Sequence, residues 1–236
     1  MGGYRGGPLM RLVLGNFSGP ADAVLSFFSV FVLVLLCFPV RNCAKILMAK
    51  YLGDDTAERS GQLTLNPFVH VDLMGFMMMM LFCIGWSKPV DIYPSRCGRA
   101  SVKKATALIS AAGPVSMIIM AYIFLIITKL TAGLANENNS EVVYYAVIAL
   151  YYVAFINVFL AVLNLLPIPG FDGFNIILPL MKPSTQFRIL QKQQLISSAF
   201  MIIFFFTPII SNLLSFISDG IITALDFLSI FLGRVT

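Results

Sequence analysis

Long apolar runs separated by short polar loops set the pattern of this chain. They extend from Ala23 to Val40, Ala105 to Leu130, Val142 to Leu166 and Leu195 to Leu214, each near the ~20 residues a helix needs to cross ~30 Å of hydrocarbon. The pattern predicts an all-α, polytopic membrane protein. The first run passes Pro39 and acquires Arg41, Asn42, Lys45 and Lys50 before Gly53-Asp54-Asp55, so its helix is expected to leave the membrane near Tyr51. Lys45 follows Arg41 by four residues, which puts both on one helical face about 6 Å apart along the axis.

Three segments depart from the simple alternation. Pro67 to Trp86 is apolar, yet Arg59 precedes it and Lys88, Arg96 and Arg99 follow; both flanks look cytoplasmic, and a re-entrant segment at 67–86 competes with a short span. Non-helical backbone at membrane depth is tolerated only where protein or water covers it. The run ending at Leu166 enters Pro167-Ile168-Pro169-Gly170-Phe171-Asp172-Gly173, whose prolines and glycines stop the helix while its flanks stay apolar. An acid in such a break is a functional-site candidate, and Asp172 is that acid. Beyond Leu195, a long apolar segment and a shorter one, Ile221 to Leu232, are separated by Ser215 to Gly220; they read as a hairpin or as one span plus an interfacial helix. The chain divides into an N-terminal segment (1–22), a membrane core (23–180) and C-terminal membrane helices (181–236).

Composition agrees with lipid as the solvent. The 236 residues are 58% hydrophobic and 11% charged, with mean hydropathy +0.88, against roughly 25% charged in soluble domains. The formal net charge of +5 does not point to nucleic acid, because the basic residues gather between spans. Arg96, Arg99, Lys103 and Lys104 precede one span, Lys182, Arg188 and Lys192 follow another, and Thr131 to Glu141 between these spans has no Lys or Arg. By the positive-inside rule the basic loops are cytoplasmic and the Asn-rich loop external. Arg5 and Arg11 precede no cleavable signal pattern, so the first span is expected to remain. Cys37, Cys43, Cys83 and Cys97 show no C-x-x-C spacing and read as small buried hydrophobes. Met77 to Met80 point around a helix rather than converging, which suits packing better than metal binding.

Six ordered blocks carry a family likeness: Lys50 to Asp54, Gly61 to Pro67, His70-Val71-Asp72, Gly85 to Val90, Ala112-Gly113-Pro114 and Asn164 to Gly173. In order and spacing they resemble bacterial site-2 proteases over roughly Val40 to Leu180. The resemblance implies an intramembrane zinc metalloprotease fold, in which an H-E-x-x-H helix supplies two histidines and a general base and a broken-helix aspartate supplies the third ligand. Histidines at i and i+4 share a helical face, and three protein ligands leave one zinc position for water. Registered on Leu52-Gly53-Asp54, the first histidine falls on Arg41, the glutamate on Asn42 and the second histidine on Lys45, while the aspartate falls on Asp172. Asn164 opens the aspartate block. Met117 stands where the family's A-G-P-x-x-N pattern has asparagine.

Zinc is therefore expected for the family but not for these residues. Guanidinium and ammonium groups present no lone pair, and the chain's one histidine is His70. With no cofactor expected and Asn42 unable to act as a base, the reading is a catalytically inactive homologue in the cell membrane. Its partners would be transmembrane segments of membrane proteins. Two alternatives are a metalloprotease with a non-standard site, through Asp172, Cys43 and His70 or a deliberately altered motif, and an ion or solute channel using the polar pocket. His70 is expected to bond near Asp72. Arg41 and Lys45 either snorkel to headgroups or take over the metal's electrostatic role by pairing with Asp172.

Overall fold

A computed structural model of the chain describes residues 8–15, 19–134 and 140–229. Within them the protein is helical, with no strand beyond one isolated antiparallel bridge, Val71 to Ser87. After a short helix α1 (Pro8–Val13), α2 (Pro20–Val32) runs through a π-helical turn, Leu33–Cys37, into α3 (Phe38–Leu52). Together they form one apolar helix of 33 residues. Pro39 is the cause of the wide turn: it offers no N–H, and its ring would clash with the carbonyl four residues back in a regular helix. The Phe38 N–H bonds to the Leu33 carbonyl instead, and the helix continues.

Gly53, at φ 112°, ends α3 in the left-handed region, which glycine adopts without a Cβ penalty. The next residue, Asp54, is 2% exposed and ties three segments together. Its carboxylate accepts from the Thr56 N–H and hydroxyl and, at 2.6 Å, from the Tyr93 N–H. Arg99 adds a backbone N–H to the Leu52 carbonyl and its guanidinium to the Tyr51 carbonyl. The loop around 93–99 is thereby strapped across the end of α3. Burial pushes the Asp54 carboxyl upward, but the four stabilising contacts, from Thr56, Tyr93 and Arg96, outweigh it and leave the group below its ordinary value.

Between these points lie α4 (Thr56–Arg59), α5 (Pro67–His70) and α6 (Leu73–Phe82). The ten residues of α6 rise only about 15 Å, half the hydrocarbon thickness. Its two flanks then meet: Val71 bridges to Ser87, and the Lys88 N–H bonds to the His70 carbonyl at 2.7 Å. Segment 67–86 therefore doubles back to its own starting point instead of crossing. Asp72 and Asn66 accept backbone N–H groups at the starts of α6 and α5, the capping that short helices require. Met79 and Met80 are buried while Met77 is exposed.

The core is built on α7 (Val102–Ala132) and α8 (Ser140–Asn164), which pack along one another, with α3 on α7 and α2 on α8. Buried Leu33, Phe38, Met79, Met117, Leu125, Val153, Leu160 and Leu214 form a continuous cluster. After α8 come α9 (Asp172–Ile177), α10 (Pro183–Gln191), α11 (Gln193–Phe206) and α12 (Pro208–Leu228). Among the described residues four helices are long and apolar enough to cross a membrane: 20–52, 102–132, 141–164 and 208–228. The C-terminal boundary differs from the sequence expectation. The break falls at Thr207-Pro208, where proline forces Thr207 to extended backbone (φ −126°, ψ 142°). Ser215 to Gly220 is continuous helix, since the buried Ser218 hydroxyl satisfies itself on the Leu214 carbonyl. The far end of the shorter apolar segment, 230–232, lies outside the described residues, as does 135–139 of the Asn-rich loop.

Candidate functional site

The break after α8 brings an acid to the face of α3. Asn164 ends α8 and bonds its own amide to the Leu160 carbonyl at 2.7 Å. Pro167 and Pro169 prevent helix continuation, Gly170 turns at φ 98°, and the chain re-enters helix at Asp172. Gly173 makes that return tight. A Cβ there would run into the carbonyl oxygens of Leu165 and Leu166, so only glycine lets α9 lie against the end of α8.

Asp172 is 4% exposed and both its oxygens hold cations from α3. Arg41 Nη2 donates to Oδ2 at 2.6 Å, and Lys45 Nζ donates to Oδ1 at 2.6 Å. Arg41 Nη2 also reaches Asn164 Oδ1 at 3.1 Å. The i, i+4 spacing explains how one carboxylate meets both residues. Gly113 of α7 provides the room: a Cβ at that position would sit 3.1 Å from Asp172 Oδ2, 3.3 Å from Lys45 Cδ and 3.4 Å from Arg41 Nε. The small residue of Ala112-Gly113-Pro114 thus serves a close approach to this ion cluster. Pro114 remains within the helix.

Asn42 faces a different group. Its Nδ2 is 3.1 Å from His70 Nδ1, its Oδ1 accepts from the Ser87 hydroxyl at 3.1 Å, and Nδ2 also reaches the Lys88 carbonyl at 3.4 Å. His70 is 1% exposed, and its Nε2 lies 2.8 Å from the Thr64 carbonyl. A carbonyl only accepts, so Nε2 carries the proton and Nδ1 receives the Asn42 N–H. The expected partnership of His70 with Asp72 is thus replaced. Asp72 Oδ1 is occupied at 2.7 Å by the Gly75 N–H, and a buried imidazole two residues back turns inward instead. Cys43 Sγ donates to the same Thr64 carbonyl at 3.1 Å. His70 and Cys43 therefore converge on one carbonyl, away from Asp172, and form no nucleophile–base pair with it.

Met117 is 1% exposed and sits in the wall of a cavity of about 400 Å³ that also reaches Phe38, Arg41, Lys45, Asn164 and Asp172. Zinc does not fit this donor set. Two of the side chains around Asp172 are cations, both carboxylate oxygens are engaged by them, and an arginine or lysine N–H has no lone pair to give. Among the described residues no group of three His, Cys, Asp or Glu could hold a metal. A further ion pair ties a buried lysine to a half-buried acid: Lys129, 4% exposed, lies 2.8 Å from Asp226 Oδ1 and donates to the Asp226 and Ser229 carbonyls at 3.1 Å. The signal was present as a lysine at the end of an apolar span, joining α7 to α12.

The family profile described as Peptidase family M50 matches residues 9–208. YwhC of Bacillus subtilis, named as a candidate zinc metalloprotease, is 32% identical over 190 residues, covering 77% of this chain and 81% of its own. Rip2 of Mycolicibacterium smegmatis, named likewise, is 30% identical over 176 residues, or 70% and 64% of the two chains. Rip2 of Mycobacterium tuberculosis is 29% identical over 207 residues, or 84% and 76%. No solved structure matches. With four membrane-length helices and a profile match over most of its length, the chain belongs to peptidase family M50, the site-2 protease family of multi-pass membrane proteins.

Proposed function

We propose that this member of the family is catalytically silent and acts by holding membrane segments of partner proteins without cleaving them. One observation carries the reading: Arg41 and Lys45, on which the family's i and i+4 histidines fall by resemblance, are both engaged with Asp172 at 2.6 Å. Hydrolysis by this fold needs a lone-pair donor at each of those positions and a base beside them. Asn42, between them, is an amide bonded to His70 and Ser87, with no capacity to accept a proton from water. The two cations replace the positive charge of a metal and supply none of its Lewis acidity.

The membrane setting supports retention of the binding role. The cavity beside Asp172 remains open at about 400 Å³, within the ~300–1,000 Å³ of ligand pockets. The test is reconstitution in liposomes with a labelled single-span substrate of an active relative and added zinc. The expected result is an intact substrate that photo-crosslinks to the chain at Trp86, the exposed member of the cavity lining. Chelator-sensitive cleavage, abolished by Asp172→Ala, would overturn the reading.

A further inference from the structure

We propose that the cavity beside Asp172 binds the free C-terminal carboxylate of an apolar peptide, the product of peptide-bond hydrolysis inside a membrane. The inference rests on the silent reading above and names the ligand that the altered site takes. A reaction of the hydrolytic class must supply such a ligand, because an intact membrane segment presents no carboxylate at that depth.

Charge is the first argument. The cavity lining contains two cations, Arg41 and Lys45, and one carboxylate, Asp172, a surplus of one positive charge in a setting where unmatched charge is costly. One added monoanion brings the cluster to neutrality, and a dianion overshoots. Donor capacity is the second. Arginine and lysine carry eight N–H donors between them, of which three are used, two on Asp172 and one on Asn164. Arg41 Nε, buried against Gly113, is not among the donors open to a ligand, which are the remaining N–H groups of the guanidinium ends and of Lys45 Nζ.

The remaining lining selects a peptide over a simple acyl chain. Phe38, Met117, Leu160 and Met201 make the apolar side, while Asn175 contributes an amide and Ser197 a hydroxyl whose proton is held by the Pro169 carbonyl at 2.6 Å and whose oxygen can still accept. A hydrocarbon tail has no use for these groups, whereas a peptide main chain presents N–H and C=O groups to them.

Trp86 is the one tryptophan of the chain and lines this cavity, so its fluorescence reports occupancy directly. Wild-type protein in micelles is titrated with an N-acetylated trileucine bearing a free carboxylate, with the same peptide as its C-terminal amide, and with octanoate. The acid is expected to bind saturably and about tenfold or more tighter than the amide, as for a charge-assisted hydrogen bond gained. Lys45→Gln, which removes the surplus charge, should bring the acid to the amide's affinity. Asp172→Asn, which doubles the surplus, should tighten the acid and leave the amide unchanged. Equal affinities for acid and amide in the wild type overturn the proposal, and that comparison needs no variant to fold. Octanoate binding as tightly as the peptide acid also overturns it, in favour of a lipid carboxylate. A metal-free, non-cleaving protein that ignores the carboxylate defeats this inference alone, whereas zinc-dependent cleavage defeats the silent reading beneath it.

Discussion

Replacing Asp172 with alanine removes the anion from a cluster that is otherwise wholly cationic. Its side chain is 5% exposed, and those of Arg41 and Lys45 are 15% and 17% exposed, so little water is available to screen what remains. Breaking one buried pair by removing a partner costs ~3–5 kcal/mol, chiefly for the charge left uncompensated. Here two like charges are left, one helical turn apart, so Asp172→Ala should cost at least the upper part of that range. Lys45→Met leaves Arg41 on Asp172 and Asn164 as a neutral pair. It loses one charge-assisted hydrogen bond of ~1.5–3 kcal/mol and is relieved of the desolvation of an ammonium, for a net change of about 0–2 kcal/mol. The Arg41→Met/Lys45→Met/Asp172→Leu variant removes all three charges and should recover most of the stability lost in Asp172→Ala. Thermal unfolding by circular dichroism in one detergent ranks the four proteins. Asp172→Ala melting with the wild type, or Lys45→Met falling further than Asp172→Ala, would refute the argument.

Two further expectations follow from particular contacts. Gly113→Ala places a methyl against Asp172 Oδ2, Lys45 Cδ and Arg41 Nε at 3.1–3.4 Å, and the crowding should cost ~1–3 kcal/mol; melting of this variant together with Lys45→Ala, which removes the crowding Cδ, should be less than additive. Asp54 has a folded-state pKa below its unfolded value, so its stabilisation is present above the ordinary aspartate range near ~4 and is lost as pH falls through the folded value. Asp54→Asn should therefore melt lower at pH 7 and show a flatter decline between pH 5 and pH 3, whereas parallel curves would contradict the assignment.

Much of this organisation is legible in the residues themselves. Spans are long-range averages of side-chain polarity, so Val142 to Leu166 could be delimited within a few residues. The break at Pro167 to Gly173 was readable because prolines and glycines act on their own backbone. Pairing is less accessible. Whether His70 turned to Asp72 or to Asn42 depended on which group the Gly75 N–H had already claimed, a competition that spacing does not encode. The Thr207-Pro208 break carried its signal in a single proline inside an apolar run, and the polar letters of Ser215 to Gly220 outweighed it until the Ser218 hydroxyl was seen to bond within its own helix. Gly113 illustrates the same limit: its small size announces a close approach, but not that the neighbour is an ion cluster.

In the proposed reading Arg41 and Lys45 hold Asp172 in a fixed ion cluster in place of a metal, and Asn42 stands in place of the base. Zinc content after purification, compared between the wild type and Arg41→His/Asn42→Glu/Lys45→His, tests it most directly. The wild type is expected to retain well below one zinc per chain after dialysis. The triple variant, with two histidines one turn apart and Asp172 released as third ligand, is expected to retain about one. Stoichiometric zinc in the wild type, lost on Asp172→Ala, would contradict this reading.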